Sequence, residues 1–425
     1  MNIKQLHNLF LDSNSVCTDT RKLQKDDIFF ALKGDNFNGN IYAEQALEKG
    51  AKYVIIDEEQ YNTSTETILV TNTLKTLQAL ASHHRTYLNI PIVALTGSNG
   101  KTTTKELINA VLSQKYNTTA TIGNLNNHIG VPLTLLSMNN RTEIGIVEMG
   151  ANHLNEIEFL CDIAKPDYGY ITNFGKAHLE GFGSLEGVIK GKSEMYDYLT
   201  TQNKTVFVNG NDPIQTNKTN NTKRFVFGND VKNDVNIYFT KAQPFVKCKF
   251  KNSEIQSQLI GDYNFNNIAA AIAIGNYFKV QEKAIKKAIE NYIPTNNRSQ
   301  IIQKGTTKII LDAYNANPSS MCAALLNFEK QAGSKTAILG DMFELGNDAK
   351  QEHQNIVDLT IQLNINQIIF VGDNFYKSNT SSNKILQFKS FDDLKKDFDM
   401  LKIKNSTLLI KGSRGMALER VLKLI

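Results

Sequence analysis

The run Ile92-Val93-Ala94-Leu95-Thr96-Gly97-Ser98-Asn99-Gly100-Lys101-Thr102-Thr103 decides the fold. Its four leading apolar residues follow Pro91 and precede a glycine-rich turn, which reads as a short buried strand. A helix is expected from about residue 102 to 114. A strand, a G-x-x-G-K-T-T turn and a helix, in that order, make a phosphate cradle. Glycines let backbone N–H groups approach phosphate oxygens, and the helix N-terminus adds partial positive charge. Lys101 is placed to neutralise the terminal phosphates and the Thr102 hydroxyl to reach Mg2+. The full Walker pattern asks for glycine where Leu95 stands, so the loop is a shortened form. Alone, it indicates a nucleotide, with ATP the first choice.

Outward from the loop, strands and helices alternate. Strand candidates follow at 145–148, 168–172 and 205–208, with helices between them. Over 237–259 the pattern changes to alternation through Phe245, Cys248, Phe250, Ile255 and Leu259, which reads as an antiparallel extension. An alanine-rich helix is expected at 266–278. Upstream lie short apolar runs at 28–32, 53–56 and 68–70, then a helix over 74–88. Asn89-Ile90-Pro91 reads as a linker, because proline ends helices. Beyond Arg298, strands at 309–311, 336–339, 368–371 and 408–410 alternate with helices at 319–331 and 351–363, as in a small doubly wound unit. The expected architecture is α/β in three domains. Residues 1–88 form a small α/β domain. Residues 89–297 form a central P-loop ATPase domain with a parallel sheet plus an antiparallel extension. Residues 298–425 form a Rossmann-like domain.

Composition bounds the function. The 425 residues suit about three domains of roughly 150 residues. The 47 basic residues nearly balance 42 acidic ones and are scattered, which argues against a nucleic-acid face. A net charge of +5 suits an enzyme that handles small anions. Apolar runs such as 268–274 are too short to span a bilayer, and the first residues lack the apolar core of a secretory signal. Cys17, Cys161, Cys248 and Cys322 lie far apart, with no C-x-x-C pair, so neither a zinc ribbon nor a disulfide scaffold is expected. A cytoplasmic, monomeric enzyme without membrane or nucleic-acid partners is the expectation.

Further motifs narrow the chemistry. They are Gly123-Asn124-Leu125-Asn126-Asn127-His128-Ile129-Gly130, Glu148-Met149-Gly150-Ala151-Asn152-His153, Ala177-His178-Leu179-Glu180-Gly181 and Lys192-Ser193-Glu194. Then follow Gly261-Asp262-Tyr263-Asn264-Phe265-Asn266-Asn267, Asp312-Ala313-Tyr314-Asn315-Ala316-Asn317-Pro318, Gly340-Asp341-Met342-Phe343-Glu344-Leu345-Gly346 and Lys411-Gly412-Ser413-Arg414. With the phosphate loop, and in this order over essentially the whole chain, they resemble the Mur ligases of peptidoglycan synthesis. The E-M-G-A-N-H, Y-N-A-N-P and G-D-M-x-E-L-G segments point to the branch that joins D-alanyl-D-alanine to a UDP-N-acetylmuramoyl-tripeptide.

The resemblance implies an ATP-driven amide synthesis through an acyl phosphate. It makes Lys101, Glu148, His178 and Lys192 the catalytic set. Thr96, Gly97, Ser98, Asn99, Gly100, Lys101, Thr102 and Thr103 would cradle the ATP phosphates, with Arg298 and Asp312 nearby. Thr102 and Glu148 would hold one Mg2+. His178 and Lys192 would hold a second, Lys192 as a CO2-derived carbamate, since hard cations prefer oxygen ligands. Lys190 is a neighbouring rival, but the K-x-E spacing favours Lys192. Asn264 and Asn267 would contact adenine, as an amide offers both donor and acceptor. Thr20, Arg21 and Lys33 would bind the uridine diphosphate, and Asn126 and Asn127 the muramyl group or peptide. Asn315, Asn317, Ser413 and Arg414 would receive the dipeptide, Arg414 as a fork on its carboxylate. Three substrates on three domains imply closure of the C-terminal domain on ATP binding.

This chain departs from the family pattern at Tyr263, where histidine is usual, at His128, where aspartate is frequent, and at Ala313, where serine is frequent. Two other readings share the loop. A folylpolyglutamate synthase would lack the D-T-R and A-L-K-G segments near residues 19–34. A non-catalytic P-loop module would not need Glu148, His178 and Lys192 together.

Overall fold

The structure, a computed structural model, describes residues 1–401, 403 and 406–425. Three large sheets follow one another along the chain. The first is wholly parallel, with neighbours in the order Val16–Cys17, Ile28–Phe30, Tyr53–Ile56 and Thr67–Leu69. Its two central strands are almost uninterrupted apolar residues, because both faces of the sheet are covered.

The second sheet has nine strands. Ile92–Thr96 lies between Tyr168–Ile171 and Ile144–Glu148, all parallel. Thr118–Ala120 closes one side, and Thr205–Asn209 and Lys223–Gly228 extend the other. The extension is antiparallel, built by Val235–Lys241, Lys247–Phe250 and Ser253–Gln256. The register sets Leu95 beside Glu148 and Thr96 beside Ile171. The carboxyl ends of three strands therefore come level where the strand order reverses, the place where open α/β sheets hold ligands. The helix Asn264–Tyr277 packs beneath them with Ile268–Ile274 wholly sealed from water, so its sequence carries little amphipathic signal.

The third sheet runs Gln300–Lys304, Thr307–Asp312, Thr407–Lys411, Lys335–Gly340, Gln367–Val371 and Ile385–Phe388, with only the first strand antiparallel. The strands expected from sequence are present. Thr118–Ala120, Lys223–Gly228, Gln300–Lys304 and Ile385–Phe388 are additional; they are edge or polar-led segments whose pattern was too weak to read. No helix among the described residues is long and apolar enough to cross a membrane.

The helix Thr73–Leu88 joins the first two units. Asn72 caps its start by accepting from the Lys75 N–H, and Leu77, Leu80 and Ala81 face the core. Near its end, Arg85 donates to the carbonyls of Ala164 and Lys165 and to Asp167 Oδ2 at 2.7 Å. At the preceding residue, His84 Nε2 lies 2.9 Å from the Met138 carbonyl, which can only accept, so Nε2 carries the proton. His84 Nδ1 must then accept from His7 Nε2, 3.0 Å away on the helix Ile3–Leu11. This chain of bonds works with neutral rings.

Burial, with His84 and His83 adding repulsion, lowers the His7 pKa from 6.5 to about 4. The unfolded chain therefore takes up a proton that the folded chain refuses between about pH 6.5 and 4. Folding stability should fall as pH drops through that window, by roughly 1–3 kcal/mol. Thermal unfolding of the wild type and His7→Leu across this range checks it. The wild type should lose the more; parallel curves would reject the assignment.

Candidate active site

The loop after Ile92–Thr96 takes a shape that needs glycine. Gly97 has φ +144°, and a Cβ there would lie 1.9 Å from Thr172 Oγ1. Gly100 has φ +77°, and its Cβ would meet Asn267 Oδ1 at 2.5 Å. The end of the neighbouring strand holds the turn. Thr172 Oγ1 and Asn173 Nδ2 donate to the Asn99 carbonyl at 2.6 and 3.0 Å, and the Asn99 N–H donates to Asn173 Oδ1. The helix Lys101–Leu112 then starts directly, pointing its free N–H groups at the opening. Lys101 Nζ folds back onto the Gly97 carbonyl at 2.8 Å. Burial lowers its pKa against the opposing pull of Glu148.

Glu148 ends the adjacent strand and is 1% exposed. Its Oε1 accepts from Asn126 Nδ2 at 2.7 Å and from Thr102 Oγ1 at 3.3 Å. Its Oε2 is buried without a hydrogen-bond partner. A sealed carboxylate with a free oxygen, beside a threonine hydroxyl, is a donor set for a hard cation. No group of three or more His, Cys, Asp or Glu among the described residues could hold a metal by itself. A cation here would have to share ligands with phosphate oxygens.

Lys192, on the helix Leu185–Thr201, is wholly buried, and its Nζ has no hydrogen-bond partner. Its Nζ lies over the face of the Phe182 ring, 5.2 Å from the centroid. Burial, aided by the charge of Lys101, lowers its pKa to about 7. Burial without a partner disfavours the ammonium and favours the neutral amine. His178 adopts the left-handed region at φ +53°, and its Nδ1 pairs with the carboxylate of Glu344.

A cavity of about 650 Å3 opens over this edge. Of the residues expected from sequence, it is lined by Ser98 to Thr103, Asn126, Asn127, Glu148, His178, Asn267, Arg298, Asp312, Asn315, Asn317 and Arg414. The third sheet covers it. Arg298 stacks on the Tyr314 ring at 3.8 Å and keeps its Nε unpartnered. Asp312 accepts from Lys411 Nζ at 2.6 Å, and Asn317 donates to Asn99 Oδ1 at 2.8 Å.

Other expected residues stand elsewhere. Asn264 does not reach the cavity: its Nδ2 donates to the Ile260 carbonyl and its Oδ1 accepts from Asn267, both at 2.8 Å. Asn267 in turn accepts from Thr104 at 3.0 Å. The two amides brace the helix under Gly100 rather than facing a base together. The Ser413 hydroxyl accepts from the Phe343 N–H and donates to the Ala316 carbonyl, tying two loops. Thr96, Gly97 and Lys192 lie behind the wall. Thr20 and Arg21 lie in the turn after Val16–Cys17, and Lys33 in a two-stranded ribbon with Phe37–Asn38; none of them lines the cavity. There Arg21 is forked by Asp19, and Lys33 lies 3.0 Å from Asp57 and 3.4 Å from Glu58. The site also contains Glu344, Tyr314 and Lys411, which the sequence reading did not single out.

Comparison with known proteins gives one family throughout. Residues 13–85 match the catalytic domain of the Mur ligase family, residues 95–275 the Mur ligase middle domain, and residues 297–414 the Mur ligase glutamate ligase domain. The chain is 34% identical to UDP-N-acetylmuramoyl-tripeptide--D-alanyl-D-alanine ligase of Bacillus subtilis, covering 96% of this chain and 92% of that one. It is 32% identical to the protein of that name from Escherichia coli, covering 96% and 93%. A crystal structure of MurF from Acinetobacter baumannii superposes with a TM-score of 0.86 at 28% identity, covering 99% and 98%. MurF ligase from Thermotoga maritima in complex with ADP gives 0.83 at 26%, covering 98% and 97%.

The loop geometry predicts the effect of Gly97→Ala. Backbone strain of about 1–3 kcal/mol should weaken ADP binding roughly 5- to 100-fold. Titration calorimetry with ADP, beside an unchanged far-ultraviolet circular dichroism spectrum, checks it. Wild-type affinity would show that the nucleotide does not use this turn.

Proposed function

The chain belongs to the Mur ligase family, and from that premise we propose that it is the ATP-dependent ligase joining D-alanyl-D-alanine to UDP-N-acetylmuramoyl-tripeptide. The products are UDP-N-acetylmuramoyl-pentapeptide, ADP and phosphate. The observation that carries the reading is the phosphate loop with Glu148 Oε2 buried and unpartnered beside it.

The reaction begins with two anions meeting. The free carboxylate of the tripeptide attacks the γ-phosphorus of ATP, the bond to the β-phosphate oxygen breaks, and an acyl phosphate forms with ADP as leaving group. Charge neutralisation is the main barrier to this step. Lys101 swings from the Gly97 carbonyl onto the phosphates, and the helix N–H groups receive their oxygens. Arg298 contributes a second cation from the C-terminal side. The dipeptide amine, having lost a proton, then attacks the acyl carbon. The tetrahedral adduct loses the extra proton from its nitrogen to solvent and collapses, and phosphate leaves.

Glu148 and Thr102 would hold one Mg2+, and His178 with a carbamate on Lys192 would hold a second. Bound there, the ions would shield the phosphoryl oxygens and the developing acyl phosphate. The support for the carbamate is physical. Burial and the charge of Lys101 disfavour the cation of this unpartnered amine, against the pull of Glu156 and Glu194, and CO2 would convert it to an oxygen ligand. Asn315, Asn317 and Arg414 line the side of the cavity from which the dipeptide would come, and Asn126 and Asn127 the side facing the peptide. Thr20, Arg21 and Lys33 would take the uridine diphosphate once their carboxylate partners yield. We assign the three sequence-matched units to residues 1–88, 89–297 and 298–425, and the working form to a cytoplasmic monomer.

The direct test is incubation with ATP, D-Ala-D-Ala and UDP-muramyl-tripeptides carrying either a diamino acid or lysine, with products weighed by mass spectrometry. Pentapeptide should appear with at least one; phosphate release independent of the dipeptide would reject the ligase reading. Lys101→Ala should lose turnover in that assay. Lys192→Ala should lower kcat by roughly 10²- to 10³-fold and recover in part with a short-chain carboxylate. Active enzyme whose intact mass shows an unmodified Lys192 would reject the carbamate.

A further inference from the structure

The G-D-M-F-E-L-G segment begins at the end of the third-sheet strand Lys335–Gly340, yet its glutamate lines the cavity and meets His178 of the central unit. Glu344 has φ +62°, and His178, opposite it, has φ +53°. Two non-glycine residues in the left-handed region face each other across the boundary between the second and third sheets. Such backbones persist only where surroundings over-determine them. Here they are over-determined. The Glu344 carboxylate pairs with His178 Nδ1, and its carbonyl accepts from the Glu180 N–H at 3.2 Å. Gly346 packs against Glu180, a Cβ at Gly346 falling 3.4 Å from the Glu180 Cα. Behind Glu344, Ser413 Oγ accepts from the Phe343 N–H at 2.9 Å and so anchors the segment to its own sheet.

We propose that Glu344 is the positioning residue for His178. Its carboxylate accepts a hydrogen bond from Nδ1–H, fixes the tautomer and the ring, and leaves Nε2 as the one nitrogen open to a cation. Carboxylate partners of this kind orient metal-binding imidazoles. Because Glu344 is carried by the C-terminal unit, the second cation site is complete only when that unit is seated against the central one. The proposal rests on reading His178 as a cation ligand, and the test separates the two.

Mn2+ binding to the full chain, read by electron paramagnetic resonance with a non-hydrolysable ATP analogue in bicarbonate buffer, is the measurement. The wild type should bind two Mn2+ and His178→Ala one. Glu344→Ala should keep the first site and weaken the second by roughly 10- to 100-fold. Glu344→Gln, whose amide oxygen still accepts from Nδ1, should fall between Glu344→Ala and wild type. Retained binding of the first Mn2+ and of the analogue shows that each variant is folded. Two wild-type Mn2+ sites in Glu344→Ala, with one lost in His178→Ala, would overturn the positioning role alone. Glu344→Gln as weak as Glu344→Ala would also overturn it, because the hydrogen bond would then not be what matters. One Mn2+ in the wild type, or two in His178→Ala, would overturn the cation reading itself.

Discussion

Glu148 and Lys192 are both taken out of water near the carboxyl edge of one sheet, and each keeps a polar atom without a hydrogen-bond partner. Burying such groups costs several kcal/mol unless something answers them. A fold that keeps both unanswered holds a site complementary to charges it does not itself contain. On the carboxylate side the proposed partner is a cation; on the lysine side it is the proposed carbamate. Lys101, lowered in pKa by the same dryness and parked on a carbonyl 2.8 Å away, is the third member of this set. Its resting bond is to a neutral group, so phosphate oxygens are the better acceptor when they arrive.

The sheet explains why these groups are neighbours. Parallel strands end at one edge, and the register that puts Leu95 beside Glu148 and Thr96 beside Ile171 brings loop, carboxylate and the Thr172–Asn173 brace to one level. A strand shifted by one residue would turn the Glu148 side chain to the opposite face. The Asn264–Asn267 pair secures the arrangement from below, since Gly100 can come so close to Asn267 only without a Cβ.

The phosphate loop could be read from its residues because glycine, lysine and threonine are each required there by local backbone and charge. The strands of the doubly wound units could be read because they are apolar on both faces. What stayed hidden depends on contacts far apart in sequence. The two asparagines of the Gly261–Asn267 segment suggested a base contact, yet an amide satisfies another amide equally well, and only the packing shows which occurs. The ligand-like burial of Lys192 could not be seen in K-x-E. Glu344 lay inside a quoted motif, but its role depends on a residue 166 positions earlier in the chain. The polar strand Thr118–Ala120 forms because Ile144–Glu148 offers it a ladder, not because its own residues favour a sheet.

The two boundaries of the central unit differ in chemistry, and that difference bears on how three substrates can meet. Toward the first sheet, Arg85 and His84 are sealed among Leu77, Leu80 and Ala81 and bond to backbone carbonyls, so separation would strand buried donors and acceptors. Toward the third sheet, side chains bond from Lys176 to Glu352 at 2.6 Å, from Asn317 to Asn99 and between Glu344 and His178, and the Glu180 N–H donates to the Glu344 carbonyl. Water can replace each of these partners, so breaking them leaves nothing stranded. Polar inter-domain contacts of this kind suit relative motion. The first boundary resists separation, and the second is the one across which relative motion would cost less. Because one of its contacts runs through a proposed cation ligand, closing that boundary and ordering the reactive site are one event.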